Sequence, residues 1–109
     1  MLSTPVRKRI NSETAVFVSA ISGFEIGVEH QKGKLGLPAQ PSDWFEAILE
    51  HHDLQVLPLD LSICIRSAEL PRIHTDPCDR LIIATAERRQ MAVVTADPIF
   101  RQYGIEVLF

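Results

Sequence analysis

The chain has 109 residues, of which 46% are hydrophobic and 23% are charged, and its formal net charge is −3. This length fits one small domain with a core of its own, and this balance of residue types excludes a long disordered chain. The acidic charge provides no overall field that would attract nucleic acid. No apolar run is long enough to span a bilayer, and no apolar signal core opens the chain. We therefore expect a single soluble domain over residues 1–109 in the cytoplasm.

The first half of the chain alternates between helical and extended patterns. Each pattern is bounded by polar residues, glycine or proline, which mark the ends of helices and strands. The predicted elements are a helix over residues 5–10, a strand over 15–19, a helix over 21–32, a helix from residue 42 and a strand over 54–59.

The second half continues the same alternation. Its predicted elements are helices over residues 61–70 and 77–89, a strand over 92–95, a short helix over 98–103 and a strand over 105–109. Strands separated by helices indicate an α/β fold with a parallel sheet. In such sheets, ligands bind beyond the carboxyl ends of the strands.

Three acidic residues, Glu25, Asp79 and Asp97, each lie shortly after a predicted strand or at the start of a predicted helix. If the strands run parallel in one sheet, these carboxylates converge along one edge. Clustered carboxylates repel one another, and a divalent cation among them relieves that repulsion. Mg²⁺ and Mn²⁺ prefer such oxygen ligands. The pattern therefore favours metal-assisted phosphodiester chemistry.

Helix capping is an alternative explanation for the same acids. The segment from Ser22 to Glu25 fits a capping box. Asp76 fits an N-cap that is followed by proline, with Asp79 in the first helical turn, and Asp97 repeats the cap-then-proline pattern. Acids at helix starts also interact favourably with the helix dipole. From the residues alone, a shared metal site and a set of caps remain equally open.

Other side chains give weaker signals. Cys64 and Cys78 have neither a CxxC nor a paired-ligand spacing, so we expect two free and mostly buried thiols. His74 stands alone in the sequence and is predicted to be a surface residue. No Ser-His-Asp or Cys-His arrangement is evident.

Several segments together resemble a PIN domain of the VapC toxin type. They are Val-Ser-Ala-Ile-Ser-Gly-Phe-Glu-Ile at residues 18–26, Gly-Lys-Leu-Gly-Leu-Pro at 33–38, His-Thr-Asp-Pro-Cys-Asp-Arg-Leu-Ile-Ile-Ala-Thr-Ala at 74–86, Val-Val-Thr-Ala-Asp at 93–97 and the tail at 100–108. Each motif is moderately specific by itself. Together they cover nearly the whole chain in the family's order.

The resemblance implies a three-layer α/β fold in which helices flank a parallel sheet. It also implies an endoribonuclease that depends on Mg²⁺ or Mn²⁺ and acts as the toxin of a toxin–antitoxin pair. The implied partners are an RNA substrate, a cognate antitoxin and a second copy in a homodimer. By motif position, the family's catalytic metal ligands correspond to Glu25, Asp79 and Asp97, and a hydroxyl beside the metal corresponds to Thr95. Asp76 is the expected helix cap.

The sequence departs from the family at its start. PIN domains begin with a short apolar strand that ends in an aspartate, whereas this chain opens at the helix that should follow. We therefore expect an N-terminally truncated domain without its first central strand, and a gap between the strands predicted at residues 15–19 and 92–95. Loss of one of four acids is expected to weaken metal binding and activity. The alternative is a catalytically inactive module that binds an antitoxin or a dimer partner.

Overall fold

The computed structural model describes residues 16–108, which divide into two compact units, residues 16–58 and residues 59–108. The helix predicted over residues 5–10 lies outside the described residues, as do Ala15 and Phe109 at the ends of two predicted strands.

The first unit is a β-α-α-β segment with parallel strands. It consists of β1 (Val16–Ser19), α1 (Ile21–Gln31), α2 (Pro41–His51) and β2 (Leu54–Leu57). Strands β1 and β2 pair in parallel with Val16 opposite Leu54, and the two helices form the crossover that such pairing requires. Pro41 occupies the first turn of α2, where its missing N–H costs no helical hydrogen bond.

Helix α1 begins before the capping box that the sequence suggested. Its N-cap is Ala20, which makes no side-chain cap, and the Ile21 amide donates to Ser19 Oγ at 3.3 Å. Ser22 therefore lies inside the helix, and the capping-box alternative for Ser22 and Glu25 is wrong. The helix begins at Ile21, only two residues after the end of β1, so Ser22 comes too late in the chain to be its N-cap.

The second unit contains the other half of the α/β pattern. It consists of α3 (Leu61–Glu69), α4 (Pro77–Arg89), β3 (Val93–Val94), a 3₁₀ helix (Pro98–Tyr103) and β4 (Val107–Leu108). Strands β3 and β4 pair in parallel with Val93 opposite Val107. Each of the three helices is capped by the aspartate that precedes it: Asp60, Asp76 and Asp97.

Helix α4 is the centre of the second unit's core. Its Ile83 and Ala84 are completely buried, because the apolar run in the middle of the helix is covered by neighbouring elements. The buried cluster also contains Ile63, Leu70, Phe100 and Val107. Burial of one such isoleucine contributes about 2 kcal/mol, so this packing holds the middle of α4 against the 3₁₀ helix, whose Phe100 belongs to the same cluster.

The α/β class and the parallel pairing of strands are confirmed. Within residues 16–108 the strands form two parallel pairs, one in each unit. Among these residues, no helix is long and apolar enough to cross a membrane. Neither Cys64 nor Cys78 forms a disulfide, but Cys64 is exposed and Cys78 is only partly buried. The expectation of mostly buried thiols was therefore wrong for Cys64, which lies on the outer face of α3.

Candidate functional site

Two of the three acids singled out in the sequence meet at one histidine. Asp79 Oδ2 lies 3.0 Å from His74 Nε2, and Asp97 Oδ2 lies 3.1 Å from the same nitrogen. Asp79 is in the first turn of α4, Asp97 precedes the 3₁₀ helix after β3, and His74 is in the loop between α3 and α4. All three belong to the second unit.

Asp79 is available to this cluster because Asp76 caps the helix. The Cys78 amide donates to Asp76 Oδ1 at 2.9 Å, and Pro77 follows the cap in the first helical turn. The prediction that Asp76 is the helix cap is therefore confirmed.

Asp97 caps a helix and joins the cluster at the same time. Its Oδ1 accepts a hydrogen bond from the Ile99 amide at 2.9 Å, while its Oδ2 faces His74. The Asp97 amide in turn donates to Thr95 Oγ1 at 3.1 Å. Capping and participation in a site are therefore not exclusive, because a carboxylate has two oxygens that can face different groups.

The hydrogen bonds also assign the protonation of the His74 ring. The backbone amide of Asp76 donates to His74 Nδ1 at 3.2 Å. Because a backbone amide can only donate, Nδ1 must be the unprotonated nitrogen, and the neutral ring then carries its proton on Nε2. That single N–H forms a hydrogen bond with Asp97 Oδ2 at 3.1 Å, and Asp79 Oδ2 lies 3.0 Å from the same nitrogen.

The cluster carries more negative charge than its own donors neutralise. Partial burial raises the pKa of the Asp79 carboxyl above its ordinary value, and the negative charges of Asp76 and Asp97 raise it further, against the opposing influence of His74. A divalent cation bound beside Asp79 would offset the negative charges of Asp76 and Asp97 and would lower the pKa of Asp79. Two carboxylate oxygens directed at one point, with excess negative charge, are a donor set that fits Mg²⁺ or Mn²⁺.

Glu25 lies on α1 in the first unit. Its predicted role as a metal ligand rests on the motif resemblance described above. Thr95 lies directly after β3, and its hydroxyl holds the amide of Asp97. That contact gives the threonine a structural role in orienting the acid.

Sequence reasoning did not identify His74. The prediction of a surface residue was wrong, because only 11% of its side chain is exposed and its ring bridges two acids. The available signal was its place shortly before Asp76 and Asp79 in an Asp-Pro segment. Its burial depends on Phe100, whose ring meets the imidazole edge-on at 5.7 Å, and a partner so distant in sequence cannot be recognised from local spacing.

Comparisons with known proteins identify a family and a relative of this chain. The chain is 28% identical over 103 residues to Ribonuclease VapC22 of Mycobacterium tuberculosis (strain ATCC 25618 / H37Rv), and that match covers 94% of this chain and 78% of the relative. The family model of the PIN domain matches residues 2–106, which cover nearly all of both units and contain all three predicted site acids. This chain belongs to the PIN domain family.

Proposed function

We propose that this protein is a Mg²⁺- or Mn²⁺-dependent endoribonuclease and the toxin of a toxin–antitoxin pair. The observation that carries the proposal is the convergence of Asp79 Oδ2 and Asp97 Oδ2 on His74 Nε2 in a member of the PIN family. The VapC22 relative is named a ribonuclease, which supports RNA as the substrate class.

In this proposal Glu25, Asp79 and Asp97 are the catalytic acids and hold the metal. A bound divalent cation would supply an activated water and neutralise charge on the phosphate. The protein's own contribution is to fix the ligands. Asp97 is oriented by the Ile99 amide and by Thr95, and Asp79 is freed from capping by Asp76.

The partners follow from the same family assignment. We expect an RNA substrate, a cognate antitoxin protein, a homodimer and a cytoplasmic location. Electrostatic attraction to RNA must come from local basic side chains, because the formal net charge of the chain is −3.

RNA cleavage by the purified chain tests the proposed activity. We expect cleavage with Mn²⁺ that EDTA abolishes. Asp79→Asn and Asp97→Asn should remove activity, and because asparagine is as good an N-cap as aspartate, the Asp97 variant keeps its helix start. Asp60→Asn is the matched control, since Asp60 caps α3 and lies outside the cluster. Cleavage that proceeds equally fast in EDTA would contradict the metal mechanism.

A further inference from the structure

Two side chains, those of Tyr103 and Arg80, form several hydrogen bonds with the backbone of the loop before α4. The Tyr103 hydroxyl accepts from the amides of Ile73 and His74 at 3.2 and 2.7 Å, and it donates to the Pro71 carbonyl at 2.7 Å. One hydroxyl thus uses its donor and both acceptor positions on a short stretch of chain. The stretch ends at His74.

Arg80 holds the same loop from the other side. Its residue is only 8% exposed, and its guanidinium donates to the carbonyls of Leu70, Pro71 and His74 at 2.8, 3.0 and 3.0 Å. Removing a cation from water is costly, and here neutral carbonyls receive its hydrogen bonds. This use of a buried arginine fixes the path of the loop.

The His74 ring is fixed as firmly as its backbone. Its Nδ1 accepts a hydrogen bond from the Asp76 amide, and its ring packs at a right angle to the ring of Phe100. Its Nε2 lies within 3.1 Å of both Asp79 and Asp97. A ring with both nitrogens bonded and one edge packed has no second orientation that keeps these contacts. The position of the N–H between the two acids is therefore built into the fold.

We propose that His74 is a positioning residue, which holds the Asp79 and Asp97 carboxylates together through its Nε2–H before metal binds. Tyr103 and Arg80 support it by fixing the loop that carries it. His74 is not a metal ligand in this proposal, because Nδ1 already accepts a hydrogen bond and Nε2 carries the proton. The inference rests on the proposed function, since the pre-arranged acids serve metal binding.

Mn²⁺ titration of the full chain and of two His74 variants tests the role. His74→Ala removes the N–H, and loss of such an outer-shell partner weakens metal binding about 10- to 100-fold. His74→Gln places an amide N–H at a similar reach and should restore most of the affinity. Thermal unfolding without metal serves as the control for folding. Affinity unchanged in His74→Ala, or no recovery in His74→Gln when both variants are folded, would overturn the proposal.

Two spectroscopic measurements separate positioning from ligation. Electron spin-echo spectra of the Mn²⁺-loaded protein should show no ¹⁴N coupling from a directly bound imidazole, and such a coupling would overturn the proposal. In the metal-free protein, ¹⁵N shifts should show His74 protonated on Nε2, and protonation on Nδ1 would also overturn it. If wild type binds no Mn²⁺, the proposed function fails, and the imidazole spectrum still decides whether His74 holds the two acids.

Discussion

Asp79 is a residue whose charge opposes the stability of the metal-free protein. Partial burial and the negative charge of Asp76 raise its pKa above the ordinary value of 3.8. The folded state therefore binds the Asp79 proton more tightly than the unfolded state does. The corresponding stability is complete below pH 3.8 and is lost as the pH rises through the folded pKa.

Asp79→Asn should therefore stabilise the metal-free protein at pH 7. The amide oxygen can still accept from His74, while the repelled charge is gone. We expect a higher unfolding midpoint than wild type in EDTA at pH 7, and a difference that shrinks as the pH approaches 3.8. Urea unfolding at several pH values measures it. A variant that is less stable than wild type at pH 7 would show that the carboxylate charge is better compensated than this account holds.

The roles of single residues were predictable where they depend on near neighbours. Asp76 could be identified as a cap from the proline that follows it, and the structure confirms that role. The role of His74 could not, because it depends on Asp97, Phe100 and Tyr103, which the chain supplies only after α4 and β3.

At the scale of elements, an ion pair between Arg66 and Glu87 links α3 to α4. Arg66 donates to both oxygens of Glu87 at 2.6 and 3.0 Å. These hydrogen bonds hold the pKa of the Glu87 carboxyl below its ordinary value of 4.5. The resulting stability is present above pH 4.5 and is lost as the pH falls through the folded pKa.

Glu87→Gln should lower the free energy of unfolding by only a small amount. Both side chains are about one-third exposed, so solvent screens the pair, and we expect only a small loss of stability at pH 7 that disappears in acid. Chemical unfolding at pH 7 and at pH 3 measures both values. A loss that is equally large at the two pH values would mean that packing, and not charge, joins the helices.

The loop between α3 and α4 depends on the Tyr103 hydroxyl. Tyr103→Phe leaves the amides of Ile73 and His74 without that acceptor, and we expect a loss of about 1 kcal/mol because the site is open to water. Ser67→Ala is the matched control, since it removes a hydroxyl that donates to a single carbonyl on α3. Only Tyr103→Phe should also weaken Mn²⁺ binding. Equal Mn²⁺ affinity in both variants would show that the loop does not influence metal binding.

Element boundaries were most predictable where capping and burial agree. Helix α4 runs from Pro77 to Arg89 as the sequence predicts, because Asp76 and Pro77 mark its start and its apolar centre is buried. Strands β3 and β4 contain two residues each and are shorter than predicted. The ends of a strand depend on where its partner stops, and local pattern does not carry that information.

At the scale of the whole molecule, the order of motifs carried more information than any single motif. The alternation of helices and strands predicted the α/β class, and the motif order predicted the PIN family, which the match over residues 2–106 confirms. The sequence did not predict that β1 pairs with β2 and that β3 pairs with β4, because pairing depends on contacts between distant segments. The reduced activity and the single-domain organisation expected from the sequence stay predictions.

We propose above all that Asp79 and Asp97 bind one divalent cation together. Calorimetric titration of the full chain with Mn²⁺ tests it most directly, with wild type, Asp79→Asn, Asp97→Asn and Asp60→Asn compared at pH 7. We predict that wild type and Asp60→Asn bind alike, and that each of the other two variants loses more than about tenfold in affinity. Equal Mn²⁺ affinity in all four proteins would contradict the account.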